Sequence, residues 1–166
     1  THCISSAASD VYKRQVVNNV IQDKLGGIDG WLNWILKMRA TYSHRKDLLL
    51  QSIYQSEAFK KGLVDVIDPK AGMFVTFKVK FLDPAEGNIG GDEVVSAMKQ
   101  LLWKIISHGV LVVPGYNMTV DQNFSLERSN FFRLCYAPLD NDDDIIESGR
   151  RLTDAVLEFH NNGNKF

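Results

Sequence analysis

From Met73 to Phe81 the chain reads Met-Phe-Val-Thr-Phe-Lys-Val-Lys-Phe. On an extended backbone, Met73, Val75, Phe77, Val79 and Phe81 fall on one side and Thr76, Lys78 and Lys80 on the other, because successive strand side chains point to opposite faces. A strand of this kind does not stand alone. Its apolar face needs other elements to cover it, and its backbone needs neighbours to pair with. Lys78 and Lys80 mark a solvent-facing or edge portion.

The flanking segments have helical period. Trp31, Ile35, Met38 and Tyr42 recur at three- and four-residue steps, and Leu49, Ile53 and Tyr54 extend the stripe. The pattern predicts one long helix over about residues 30–61, with Asp29 as its N-cap and Gly62 as its stop. Val16 to Leu25 predicts a shorter helix ended by Gly26-Gly27. Val64 to Asp68 is a strand candidate, and Pro69 to Gly72 a turn. Asp83 to Gly91 reads as a loop, after which Asp92 caps a helix running to Ser107. Val110 to Val113 is a short apolar strand broken at Pro114-Gly115. Tyr116 to Arg128 has no period and reads as a loop over an open surface. Phe131 to Tyr136 is a further strand. A last helix runs from about Asp143 to Asn161, with Ile145, Ile146, Leu152, Val156, Leu157 and Phe159 on its apolar side. The order helix, helix, strand, strand, helix, strand, strand, helix is an α+β pattern.

Composition narrows the function. The 19 basic residues are offset by 20 acidic ones, which argues against nucleic-acid binding by bulk positive charge. Hydrophobic residues make up 45% of the 166, too many for a disordered chain and enough for one good core. No run approaches the roughly 18–20 apolar residues of a membrane span. The two cysteines, Cys3 and Cys135, form no disulfide framework or zinc cluster, so a reducing compartment is the default.

The chain begins with Thr rather than Met, which points to a fragment. Residues 1–15 (THCISSAASDVYKRQ) show no helical or strand period over Ser5 to Asp10 and are not a signal peptide. They resemble translated sequencing-adapter tails and are expected to be non-native. At the other end, Asn161 to Phe166 reads as a helix stop with a short polar tail.

Arg133 is the residue with most chemical content. It lies in the apolar run Phe131-Phe132-Arg133-Leu134-Cys135-Tyr136 and shares a face with Phe131 and Cys135. An unpaired guanidinium in an apolar setting is costly, so it needs an internal carboxylate, a ligand anion, or an edge position that reaches solvent. Its planar fork suits a ligand carboxylate. Pro114-Gly115 is either a plain turn or the exit into a cleft beside Tyr116. Ala71-Gly72 is a turn or a point of close backbone approach. His2, His44, His108 and His160 lack metal-ligand spacing. His108 and His160 fall near helix C-termini, which favour positive charge. The acidic run Asp140, Asp142, Asp143 and Asp144 is no calcium loop, because Ile145 stands where Gly is needed and Arg151 where a bidentate Glu belongs. Its acids suit a helix N-terminus instead. Asn117-Met118-Thr119 and Asn123-Phe124-Ser125 are glycosylation sequons without other signs of secretion.

Five segments, in order, resemble the C-terminal part of fold type I, pyridoxal-phosphate-dependent aminotransferases of the aromatic amino acid, 2-aminoadipate and kynurenine group. Gly30 to Asp47 is similar to the family's long connecting helix with its "R…Y..RRD" ending. Pro69 to Val75 is similar to the "P.GGMF" turn and strand, with Ala71 in place of a common Gly. Gly109 to Gly115 resembles "GV.V.PG", Phe132 to Ala137 the "RLSF" strand, and Ile145 to Leu152 the "I..G..RL" last helix. The resemblance covers residues 16–166. It implies that residues 16–29 end the large cofactor-binding domain and that residues 30–166 form the small C-terminal domain. It also implies that Arg133 matches the arginine that binds the substrate α-carboxylate, with Tyr116 near the active-site entrance. It further implies a cytoplasmic homodimer acting on an amino acid and a 2-oxo acid through pyridoxal 5'-phosphate, with no nucleic acid or membrane partner. The family's Schiff-base lysine lies in an S-x-S-K-like segment, and no lysine of this chain does. No catalytic, cofactor-binding or metal-ligating residue is therefore assigned, and the chain alone is expected to be inactive. Two other readings carry different consequences. One is the effector-sensing domain of a winged-helix transcription regulator. The other is a standalone α+β ligand-binding module.

Overall fold

The computed structural model describes residues 2–86, 90–118, 128–139 and 141–164. These divide into two compact units, Thr1–Ser43 and His44–Phe166.

In the first unit, helix α1 spans His2–Asn19 and passes into a π-helical turn, Val20–Lys24, where Leu25 N donates to Val20 O at 3.2 Å. The backbone over Ser5 to Asp10 is thus helical although the sequence shows no helical period there. Ala7, Ala8, Lys13, Arg14 and Gln15 are strong helix formers, and local backbone bonds need no buried stripe. Residues 10–20 are all exposed. Helix α2, Gly27–Gln55, begins earlier than its sequence suggests, so Asp29 sits in its first turn rather than at its cap. Trp31, Ile35, Met38 and Tyr42 are partly buried while Leu32, Asn33, Trp34, Leu36 and Lys37 are exposed, which follows the predicted stripe.

The second unit carries the sheet. The long helix expected to reach Lys61 stops at Gln55. Ser56 is extended (φ −67°, ψ 155°) and caps a separate short helix, α3, Glu57–Lys60. Its Oγ donates to Ile53 O at 2.6 Å and accepts from Phe59 N at 3.2 Å, which satisfies backbone groups on both sides of the break. Strands β1 (Val64–Ile67), β2 (Phe74–Val79), β3 (Val113–Pro114) and β4 (Phe131–Cys135) form one sheet in the order β1-β2-β4-β3, with every neighbour antiparallel. β2 is therefore an interior strand. Lys78 marks its solvent face, not an edge, while Lys80 lies beyond the strand in a 3-10 turn, Lys80–Leu82, and Met73, expected on the apolar face, precedes the strand and is 38% exposed. β3 differs from the expected Val110–Val113: only Val113 is shared, Pro114 belongs to the strand instead of breaking it, and Leu111 before it is 86% exposed.

One face of this sheet is buried. Val75, Phe77 and Val79 from β2 and Phe132 from β4 are each 0% exposed. Helix α4, Gly91–Ser107, adds Val94, Met98, Leu101 and Ile105 to the same core. Gly90, not Asp92, is its N-cap, and Gly90 N donates to Glu93 Oε2 at 3.3 Å. Helix α5, Asp142–Asn161, adds Ile145, Leu152, Val156 and Phe159, while Ile146 is 43% exposed. Asn141 caps α5 through Asp143 N, and Asp142, Asp143 and Asp144 occupy its first turn, where the helix dipole favours them. The approach of α5 to the end of α2 is close at Gly149. A Cβ there would lie 2.7 Å from Ser52 Oγ, which donates to Ile146 O at 2.8 Å.

Glu158 of α5 ties the two long helices of this unit together. Lys104 Nζ donates to its Oε1, and His108 Nε2, at the α4 C-cap, lies 3.0 Å from its Oε2. Hydrogen bonds from Lys104 and His108 hold the Glu158 carboxyl below its ordinary value of 4.5. A depressed carboxyl contributes stability above its unfolded value and loses it as pH falls through the folded one. Glu158→Gln is therefore expected to flatten the fall in melting temperature below about pH 4.5. Thermal melts of both proteins across that range check it, and parallel acid limbs would refute it.

No helix among the described residues is long and apolar enough to cross a membrane. No group of three or more metal-ligating side chains occurs among them either.

Candidate functional site

The alternation of β4 decides where Arg133 goes. Phe132 and Leu134 turn into the core, so Phe131, Arg133 and Cys135 turn to the other, open face. Arg133 pairs with Thr76 of β2 on one side and Val113 of β3 on the other. β4 is thus flanked on both sides, and an edge arginine reaching round the sheet is ruled out. An internal carboxylate partner is also missing: among the described residues no acidic side chain pairs with Arg133, and its buried Nε has no hydrogen-bond partner. What the guanidinium does meet is the ring of Phe74, with Cζ 4.4 Å from the ring centroid. A cation over an aromatic face is attracted by the ring quadrupole.

The surroundings of Arg133 are fixed by the ends of the same two strands. Tyr136 Oη donates to Gly72 O at 2.7 Å, and Tyr136 N donates to Met73 O at 3.2 Å. Gly72 has φ 94°, a left-handed conformation that turns the chain into β2. Arg45 of α2 donates from Nη1 to Ala137 O, just past the end of β4. Lys78, further along the open face and opposite Phe131, is occupied by Asp83 Oδ2 at 2.6 Å, and that bond holds the Asp83 carboxyl below its ordinary range.

The Pro114-Gly115 break leads into a 3-10 turn, Gly115–Asn117. A Cβ on Gly115 would lie 2.5 Å from the Phe131 ring, so this turn lies directly against the open-face side chain of β4. Tyr116 sits in the turn with Lys99 Nζ 6.0 Å from its ring, and burial pushes its phenol upward. Thr119 of the first sequon, all of the second, Asp140, and residues 119–127 of the expected loop lie outside the described residues. A separate apolar cavity of about 240 Å³ is lined by Leu49, Val110, Leu134, Pro138, Ile145 and Leu152 among others, and Arg133 takes no part in it.

His44, His108 and His160 make contacts within the scaffold. His44 Nε2 is 2.8 Å from Asp142 Oδ2, His108 caps α4, and His160 lies edge-on to Phe81 with ring centroids 4.8 Å apart. Phe74 is the residue the alternation passed over. It is the one aromatic on the polar side of β2, beside Thr76 and Lys78, and that break in the pattern is the signal that marks it.

The antiparallel sheet with helices against one face matches the C-terminal part of fold type I aminotransferase structures. The aromatic aminotransferase Aro9 from C. albicans superimposes with a TM-score of 0.80 at 65% identity, over 90% of this chain and 31% of that one. Pyrococcus horikoshii kynurenine aminotransferase matches with a TM-score of 0.56 at 25% identity, over 78% of this chain and 27% of its own. In sequence, Aromatic amino acid aminotransferase 2 of Saccharomyces cerevisiae is 35% identical over 135 residues, which is 81% of this chain and 25% of that protein. No protein-family model matches. The chain is similar in sequence and in fold to aromatic aminotransferases, shares its fold with kynurenine and α-aminoadipate aminotransferases, and corresponds to the C-terminal part of these proteins. It spans about a quarter to a third of the length of the relatives it matches.

Proposed function

We propose that this chain is the part of a pyridoxal-phosphate-dependent aminotransferase that receives the substrate carboxylate, with Arg133 as the receiving group. The parent enzyme transfers an amino group between an amino acid, aromatic or 2-aminoadipate-like, and a 2-oxo acid. The observation that carries this reading is the state of the guanidinium. It stands on an interior strand, faces away from the core, and has no acidic partner among the described residues. A two-point grip on a carboxylate would satisfy it and would fix the direction in which the substrate's amino group points.

When bound, the cofactor supplies the electron sink for such a transfer. The residues of this chain do not fit the role of holding it, since no lysine stands in an S-x-S-K-like segment. In this reading the cofactor is held by residues outside the 166. Residues 1–15 are then non-native, residues 16–29 end the large domain, and residues 30–166 form the small one. The parent is a cytoplasmic homodimer.

The test is turnover of an aromatic amino acid with 2-oxoglutarate, followed through the 2-oxo acid formed. The parent enzyme is expected to turn over and the isolated chain to give none. Turnover by the isolated chain, or none by the parent, overturns the proposal.

A further inference from the structure

A fork that must receive both oxygens of a carboxylate has to be held in one plane, and an arginine side chain has several rotatable bonds by which to leave it. Among the described residues no hydrogen bond does the holding: Arg133 Nε is buried and meets no acceptor. The contact present is Phe74, whose ring centroid lies 4.4 Å from Cζ. Phe74 opens β2, pairs with Cys135, and stands diagonally next to the Thr76–Arg133 pair. The backbone leading into it is pinned to β4 by the two Tyr136 hydrogen bonds, to Gly72 O at 2.7 Å and to Met73 O at 3.2 Å. Ring and guanidinium are therefore fixed to the same two strands. A carboxylate neighbour would also orient the guanidinium, but it would neutralise the charge and use up the terminal N–H groups. An aromatic face attracts the cation and leaves those donors for a ligand.

We propose that Phe74 is the positioning residue of Arg133: its ring sets the plane of the guanidinium on the open face of the sheet, so that the fork is presented to the carboxylate of the substrate. The proposal rests on the carboxylate-binding role given above to Arg133. Phe74 is 41% exposed, so its replacement leaves the core intact.

The experiment is steady-state kinetics of the parent holoenzyme with Phe74→Leu, Phe74→Tyr and Arg133→Lys. The substrates are an aromatic amino acid and 2-oxoglutarate. The inhibitors are 3-phenylpropionate, which has the carboxylate but no amine, and 2-phenylethylamine, which has the amine but no carboxylate. Phe74→Leu is expected to raise KM and to weaken 3-phenylpropionate about five- to ten-fold, with kcat within about two-fold and 2-phenylethylamine inhibition unchanged. Phe74→Tyr keeps the ring face and is expected to behave as the wild type. Equal weakening of both inhibitors, equal loss in the Leu and Tyr variants, or undiminished 3-phenylpropionate binding in Phe74→Leu each overturns the positioning role. Arg133→Lys separates the two levels of the argument. If it leaves 3-phenylpropionate binding intact, the carboxylate role of Arg133 fails. If it weakens that binding while Phe74→Leu does not, only the role of Phe74 fails.

Discussion

Arg133→Leu in the parent enzyme is expected to lower kcat/KM on the order of a thousand-fold, because removing one partner of a desolvated charge pair costs several kcal/mol. Both substrates carry a carboxylate, so both half-reactions should suffer alike. The loss is also expected to exceed that of Arg133→Lys, which keeps the charge and gives up the two-point geometry. Stability should hardly change. Arg133 lies on the open face, and a leucine there removes an unpartnered buried Nε rather than a core contact. Kinetics with both substrates, beside a thermal melt, check the prediction. A kcat/KM within about ten-fold of the wild type would show that the carboxylate is received elsewhere.

The neighbouring residue should behave in the opposite way. Phe132 is 0% exposed and lies opposite Phe77 on the buried face. Phe132→Ala opens a cavity between sheet and helices and is expected to cost about 3–5 kcal/mol. Domains are stable by only about 5–15 kcal/mol, so this is a large fraction of the whole. The melting temperature should fall by about 10 °C or more, as read by circular dichroism of the chain. A melt within a degree or so of the wild type would mean that the core does not run through β4. Together the two substitutions test one statement about alternation: consecutive residues of a strand serve stability and ligand separately because they face opposite ways.

The resemblance to fold type I aminotransferases, stated from five short segments, agrees with the relatives in sequence and structure. Single segments explain why those motifs are physical as well as familial. The glycine of the "I..G..RL" helix is the point where α5 approaches Ser52 too closely for a side chain. The glycine after Pro114 leaves room for the Phe131 ring. Where the structure departs from the periodic pattern, a local signal outweighs it. The helical stripe from Trp31 through Ile53 suggests a helix running on to Lys61, but Ser56 offers its hydroxyl to backbone groups on both sides and breaks the helix there. At α4 Gly90 takes the cap position in place of Asp92, because Glu93 reaches back to its N–H.

For β2, β4, α4 and α5 the element type and the larger part of the buried face were determined by the sequence alone, since period two and period 3.6 each leave one apolar side that must be covered. Val75, Phe77, Val79, Leu152 and Phe159 were all legible as core in this way. Strand order was not. Nothing in the residues of β2 or β4 says that they are neighbours, or that β1 and β3 lie outside them, because backbone pairing is indifferent to side-chain identity at that range. That order is what places Arg133 on an interior strand. Read in its own strand it could have been an edge residue, an internal ion pair or a ligand group. The two flanking strands remove the edge, no acidic neighbour among the described residues offers an ion pair, and the group the guanidinium meets is the ring of Phe74, 59 positions earlier in the chain.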